Sequence, residues 1–172
     1  ERQYTALASH GSGVFSATAL AAGGSHSCAV LASGAVRCWG SNEFGQLGNG
    51  TRTDSNVPVT VKGISNATAV VAGAFSNCAL LASGEVKCWG YGGNGQLGSG
   101  SSWPYPNSSV PASVAGIDTA VAITAGALHA CAVLSSGSAW CWGYNEYGQL
   151  GTGSTTSSNT PVPVREFIAP LR

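Results

Sequence analysis

Six cysteines stand in three pairs of one spacing, Cys28 with Cys38, Cys78 with Cys88 and Cys131 with Cys141. Thiols placed this way support two chemistries, a disulfide or a metal site. His26 and His129 each precede a pair by two residues and complete a His-Cys-Cys set of the kind zinc takes. The middle pair has Ser76 in that place and keeps both thiols. A pair that stands without its histidine reads as a thiol pair, so disulfides are expected, and no metal or other cofactor. His26 and His129 are then expected to be buried and bonded to the backbone of a neighbouring loop.

The element that must position each pair is written around it. "CAVLASGAVRC", "CALLASGEVKC" and "CAVLSSGSAWC" run from apolar strand residues into Ala-Ser-Gly or Ser-Ser-Gly and out into a second strand. This is the pattern of a hairpin whose glycine (Gly34, Gly84, Gly137) takes the left-handed position of a three-residue loop. With Leu31 opposite Ala35, Val30 falls opposite Val36 and Cys28 opposite Cys38. Directly opposed residues of an antiparallel pair lie about 4.5 to 5.5 Å apart, within disulfide reach. The predicted bonds are Cys28–Cys38, Cys78–Cys88 and Cys131–Cys141. They imply an oxidising compartment, so the chain is expected to be secreted, extracellular or at a cell surface.

The hairpins belong to a longer period. "CWGSNEFGQLGNG" from Cys38 returns as "CWGYGGNGQLGSG" from Cys88 and "CWGYNEYGQLGTG" from Cys141. A strand-like stretch ("SATALAAGG", "NATAVVAGA", "TAVAITAGA") leads to each first cysteine, and a short fourth strand is expected to begin at Pro58, Pro111 and Pro161. The path from Gly98 to Pro111 is longer than its equivalents, which places an insertion near residues 101–106. Four short strands per roughly 50 residues, with no helical periodicity, predict an all-β chain of propeller blades. The expected division is an arm at 1–13, repeats at 14–63, 64–116 and 117–166, and a tail at 167–172.

The sequence of Ala-Gly, His, Cys-Ala-Val-Leu, Ser-Gly, Val, Cys-Trp-Gly, Asn-Glu-Phe-Gly-Gln-Leu-Gly-Asn-Gly and a later Val-Pro resembles the regulator of chromosome condensation repeat. The likeness is to its cysteine-paired, extracellular-type form and covers residues 14 to about 166. It implies β-propeller blades, usually seven to a ring. The family's nucleotide exchange on a small nuclear GTPase goes with a complete ring and is not expected of three repeats without a basic tail. In such blades Trp39, Trp89 and Trp142 read as anchors that supply buried area and an indole N–H in need of a partner. Leu47, Leu97 and Leu150 are apolar pegs between glycines that permit close backbone approach.

Seven basic and seven acidic residues leave the chain neutral, and only 8% of it is charged. That disfavours nucleic acid and anionic membrane surfaces, both of which recruit basic patches. No run of 18 apolar residues predicts a membrane span. The acidic residues form no pair at a nucleophile–base spacing, and neither a phosphate loop nor a nucleophile elbow is present, so the chain is not expected to be an enzyme. Two classes remain. One is a structural module that associates with itself. The other is a recognition module, lectin-like or inhibitor-like, whose partner is another protein or a glycan. The second draws on Trp103 and Tyr105, which the insertion would raise on a proline-framed loop. Asn107, Asn49 and Asn66 fit the N-glycan acceptor pattern, with Asn107 the leading candidate.

The self-association expectation comes from the repeat count. Three blades do not close a ring, and an unclosed array leaves blade faces and strand edges bare. Copies joined head to tail would make a ring or a filament. The runner-up is a portion of a longer seven-bladed propeller. The arm "ERQYTALASHGSG" has no counterpart in the repeats, and Tyr4 and Leu7 are expected to cross to a neighbouring subunit.

Overall fold

The computed structural model describes residues 16–101 and 106–165. Tyr4, Leu7, Trp103 and Tyr105 lie outside the described residues. The first sheet comprises β1 (Ala17–Ala22), β2 (His26–Leu31), β3 (Val36–Gly40) and β4 (Ser55–Thr60). The second comprises β5 (Ala67–Ala72), β6 (Ser76–Leu81), β7 (Val86–Gly90) and β8 (Ser108–Ser113). The third comprises β9 (Ala120–Ala125), β10 (His129–Leu134), β11 (Ala139–Gly143) and β12 (Ser158–Pro163). Each is a four-stranded antiparallel meander in chain order.

The hairpin turn sets the register. Leu31 N–H donates to Ala35 C=O at 2.8 Å and Gly34 turns at φ 80°, which puts Val30 opposite Val36 and Cys28 opposite Cys38. The same pairing repeats in the other sheets. Disulfides join Cys28 to Cys38, Cys78 to Cys88 and Cys131 to Cys141 across Cα separations of 4.1, 4.1 and 4.0 Å. Each closes a short loop, a constraint on the unfolded chain worth on the order of 2–3 kcal/mol.

The fourth strands differ from expectation. They start three residues before the proline, so Pro58, Pro111 and Pro161 sit inside β4, β8 and β12. These strands are sheet edges, and their register slips between Cys38 and Gly40, Cys88 and Gly90, and Cys141 and Gly143. A residue without an N–H is tolerated where the ladder is already broken.

No blade buries its apolar face alone. Val30, Val36, Leu47 and Val61 of the first blade close on Ile64, Val70, Leu81 and Trp89 of the second. Leu80, Val86, Leu97 and Val114 of the second close on Ile117, Ala130, Ala132 and Trp142 of the third. The core lies in these two seams, and the Cys28–Cys38 and Cys78–Cys88 bonds lie in them too. Gly84 shows how tightly they shut: a Cβ there would stand 2.6 Å from Asp118 O on the next blade. Gly137 occupies the same turn position at nearly the same φ, 87° against 89°, with no described atom within 4 Å of a Cβ. Gly137→Ala is therefore expected to cost about 1 kcal/mol for the left-handed backbone alone. Gly84→Ala should cost about 1–3 kcal/mol beyond that, for prying the seam. Denaturant unfolding of the two variants checks the difference, and equal losses would refute the close approach.

Candidate functional site

The loop between β3 and β4 carries the recurring phrase and enters the seam. Its shape is held from inside by Asn42, wholly buried, which donates from Nδ2 to Thr51 O at 3.1 Å and Thr53 O at 3.0 Å and accepts from Leu47 N–H at 2.9 Å. Asn145 repeats this in the third blade, donating to Ser154 O and Thr156 O and accepting from Leu150 N–H. The second blade has Gly92 there. Asn107 Oδ1 accepts the Gly92 N–H at 2.9 Å, the part played by Asp54 toward Asn42 and Ser157 toward Asn145. Asn107 is thus a half-buried loop brace, whereas Asn66 is exposed. Asn49 turns its carbonyl oxygen onto Thr51.

Held this way, the loop offers backbone groups to the next blade. The Gln46 carbonyl accepts the Trp89 indole N–H at 2.9 Å, and the Gln96 carbonyl accepts that of Trp142 at 3.0 Å. Gly50 N–H donates to Ser109 O and Gly100 N–H to Asn159 O, at 2.8 and 2.9 Å. From the next blade, Ala67 N–H reaches Gly34 O and Ala120 N–H reaches Gly84 O, both at 2.9 Å. Near the β1–β2 turn Gly24 N–H donates to Ala74 O at 3.2 Å, and Ala74 N–H to Ala127 O at 3.0 Å. Four hydrogen bonds, all but one purely backbone, therefore recur at each seam. The glutamine side chain stays within its own loop, where Gln46 Oε1 accepts Phe44 N–H. Gln96 Nε2 is buried with no partner among the described residues, because Tyr91 replaces the Ser41 hydroxyl that faces Gln46.

The first seam holds two further contacts, both made by the Asn77 side chain. His26 is buried, but its partner is a side chain on a neighbouring strand rather than loop backbone: Nε2 lies 2.9 Å from Asn77 Oδ1. Asn77 Nδ2 donates to Gln46 O at 2.7 Å, which fixes the amide and makes Oδ1 an acceptor. His26 must then carry its proton on Nε2, leaving Nδ1 buried with no partner among the described residues. Burial pushes the His26 pKa below its ordinary value, partly opposed by the Asn77 hydrogen bond. His129 is only half-buried, also with a lowered pKa from burial, because no described blade covers it.

The seam groups recur, uncovered, at the two ends of the described array. On the third blade Gly137 O, Gln149 O, Gly153 N–H and Ala127 N–H have no partner among the described residues. On the first blade Trp39 is half-buried where Trp89 and Trp142 are fully buried, and Leu20 is 71% exposed where its equivalent Val70 is 5%. The anchors Leu47, Leu97 and Leu150 are all buried. A cluster not foreseen from sequence stands at the loop end of the first seam, where Phe44, Phe75 and Tyr91 meet edge to face with centroids 5.1 to 6.4 Å apart.

Two repeat profiles described as the regulator of chromosome condensation (RCC1) repeat match this architecture three times each. One covers residues 17–46, 67–96 and 120–149, the other 33–80, 83–133 and 136–169. The chain belongs to the RCC1 repeat family. The chain is 33% identical over 150 residues to the ultraviolet-B receptor UVR8 of Arabidopsis thaliana, matching 85% of this chain and 33% of the receptor. It is 33% identical over 148 residues to the human E3 ubiquitin-protein ligase HERC2, covering 86% of this chain and 2% of that protein. Among solved structures, human WBSCR16 superposes with a TM-score of 0.75 at 28% identity, over 86% of this chain and 39% of that one. Prp20p of Saccharomyces cerevisiae superposes at 0.74 with 20% identity, over 86% and 38%, a likeness of fold. The chain spans about a third of the receptor it matches.

The His26 pKa is below 6.5 when folded and near 6.5 when unfolded. The unfolded state then binds more protons as the solution acidifies, so the His26 contribution is full above pH 6.5 and lost as pH falls toward the folded pKa. Stability is expected to drop between pH 7.5 and 5, and His26→Ser, which installs the second blade's residue, should flatten that slope. Asn77→Ala is expected to cost about 2 kcal/mol at pH 7.5 by stranding the imidazole N–H. Urea midpoints across pH check both. An unchanged slope in the His26 variant would refute the assignment.

Proposed function

We propose that this chain is a non-enzymatic protein-interaction module of the secreted or cell-surface kind, whose open blade faces take a further blade of the same type from a second copy. One observation carries the reading. The third blade presents Gly137 O, Gln149 O, Gly153 N–H and Ala127 N–H, and the first presents Ala17 N–H, Trp39 Nε1, Asn56 O and Gly24 O. In the order of the internal seams these are donor against acceptor at all four places. Leu20 of one copy would fill the place that Val70 fills inside the chain. The contact is heterologous, so its repetition gives a ring or a filament. The three disulfides favour an oxidising setting.

Two other readings have specific support. The chain covers 33% of UVR8 and 39% of WBSCR16, which favours these blades forming one part of a larger propeller whose other blades cover the same faces. The edge-to-face cluster of Phe44, Phe75 and Tyr91, with Phe75 41% exposed, favours recognition of another protein at the loop end of the array. Binding is a property described for relatives: the Prp20p structure was reported with its binding to Gsp1p and histones, and yeast RCC1 was solved bound to Kap60.

Sedimentation of the 17.1 kDa chain over a concentration series tests the self-association. Oligomers are expected to form with rising concentration and to weaken at least about tenfold in Leu20→Asp and in Trp39→Ala, each with an unchanged far-UV spectrum. A chain that stays monomeric at every concentration would overturn the second-copy reading in favour of the larger propeller.

A further inference from the structure

The dipeptide Asn-Gly occurs twice, at Asn49–Gly50 and Asn94–Gly95. In this dipeptide the backbone nitrogen can attack the preceding side-chain amide, because glycine puts no side chain in the way. The first pair is arranged for that step. Asn49 Oδ1 accepts Thr51 N–H at 3.0 Å and the Thr51 hydroxyl at 2.8 Å, two donors on the oxygen that turns negative when Cγ is attacked. Nδ2, the leaving group, has no partner among the described residues. Lys62 lies beside the attacking residue: a Cβ on Gly50 would stand 2.7 Å from its Nζ, and a positive charge there favours the amide anion. One contact holds the step back. Gly50 N–H donates to Ser109 O of the second blade at 2.8 Å, so its proton is kept while the first seam is shut. Asn94–Gly95 differs on each count. Asn94 bonds through its backbone N–H, to Gln96 Oε1, and not through its side chain among the described residues. Gly95 is buried against Asn159, and its N–H donates to Gly92 O at 2.8 Å inside its own loop.

We infer that Asn49 is a self-modifying residue, converted to aspartate and isoaspartate when the first seam opens. Opening frees the Gly50 N–H, hydroxide takes its proton, and the nitrogen attacks Asn49 Cγ. The Cγ–Nδ2 bond breaks, Nδ2 leaves as ammonia with a proton from water, and a cyclic imide joins residues 49 and 50. Water then adds to one imide carbonyl. Breaking the bond between Cγ and nitrogen gives aspartate, and breaking the bond between the backbone carbon and nitrogen gives isoaspartate. In sum, one side-chain amide and one water become one carboxyl group and one ammonia. Isoaspartate carries an extra carbon in the main chain, which moves Gly50 N–H off Ser109 O and keeps the seam from closing as before. The residue therefore records seam opening irreversibly. The first seam is internal to the chain, so this gate is the same whether a second copy or further blades cover the outer faces.

The full chain is held in mildly alkaline buffer for increasing times, digested and mapped by peptide mass, with isoaspartate counted by an isoaspartyl methyltransferase. Conversion at Asn49 is expected to run at least about tenfold faster than at Asn94. Asn77→Ala, which removes the contacts to His26 and Gln46 across the first seam, should speed conversion at Asn49 at least about tenfold further and leave Asn94 unchanged. Equal rates at the two residues, or a rate at Asn49 that Asn77→Ala does not alter, would overturn the inference. If Asn77→Ala does not fold, hydrogen exchange at the Gly50 amide of the unaltered chain decides. Conversion that rises in step with that exchange across a series of low urea concentrations supports the gate, and conversion indifferent to it refutes the gate.

Discussion

A single backbone carbonyl organises each seam. In GQLG the glutamine carbonyl points out of its own blade and takes the indole N–H of the tryptophan on the next, at Gln46 for Trp89 and at Gln96 for Trp142. A buried indole N–H left unpaired is costly, and the indole is the largest side chain in the seam. Satisfying it obliges the loop to lie against the neighbouring blade, which brings the leucine down beside it and leaves no room for a side chain at Gly48, where a Cβ would meet Trp89 Nε1 at 2.8 Å. The glycines, the leucine and the loop braces Asn42 and Asn145 all follow from placing that one oxygen.

The disulfides answer a different need. A blade is a thin meander whose β2–β3 hairpin must keep its register before any neighbour arrives, because a slip by one residue would turn its apolar face outward. The cross-strand bond holds that register from within. It lies on the seam face, so the neighbour that completes the core also covers the sulfurs. His26 adds an asymmetry. It reaches the side chain of Asn77 across the first seam, whereas Ser76 holds the same place in the second. The first seam therefore contains a buried neutral imidazole and the second does not.

Much of this was legible in the residues. The period, the all-β class, the hairpins and their register follow from the Cys spacing and the glycine of each turn, since local turn chemistry dictates both. Other features were not. The fourth strands were expected at the prolines but begin at Ser55, Ser108 and Ser158, because edge position and a broken ladder override a rule drawn from regular sheets. Asn77 carries no local signal: Ser27 and Ala130 hold the equivalent places, and its role exists only through a residue 51 positions away. Asn42 and Asn145 could have been found, since they recur where the middle repeat has Gly92 and the insertion follows. The aromatic cluster joins a loop of one blade to a turn of the next, a proximity that comes from stacking rather than from sequence neighbourhood.

The same carbonyl that organises the internal seams, that of Gln149, stands on the third blade, and the matching indole, that of Trp39, on the first. The central claim is that these two form one more seam when a further blade docks. Proton–deuterium exchange of the tryptophan indole N–H groups, followed by NMR on the dilute and the concentrated chain, tests it most directly. The account predicts slow exchange at Trp89 and Trp142 throughout, and at Trp39 fast exchange in the dilute chain that becomes slow on association. Exchange at Trp39 that stays fast while oligomers form would contradict it.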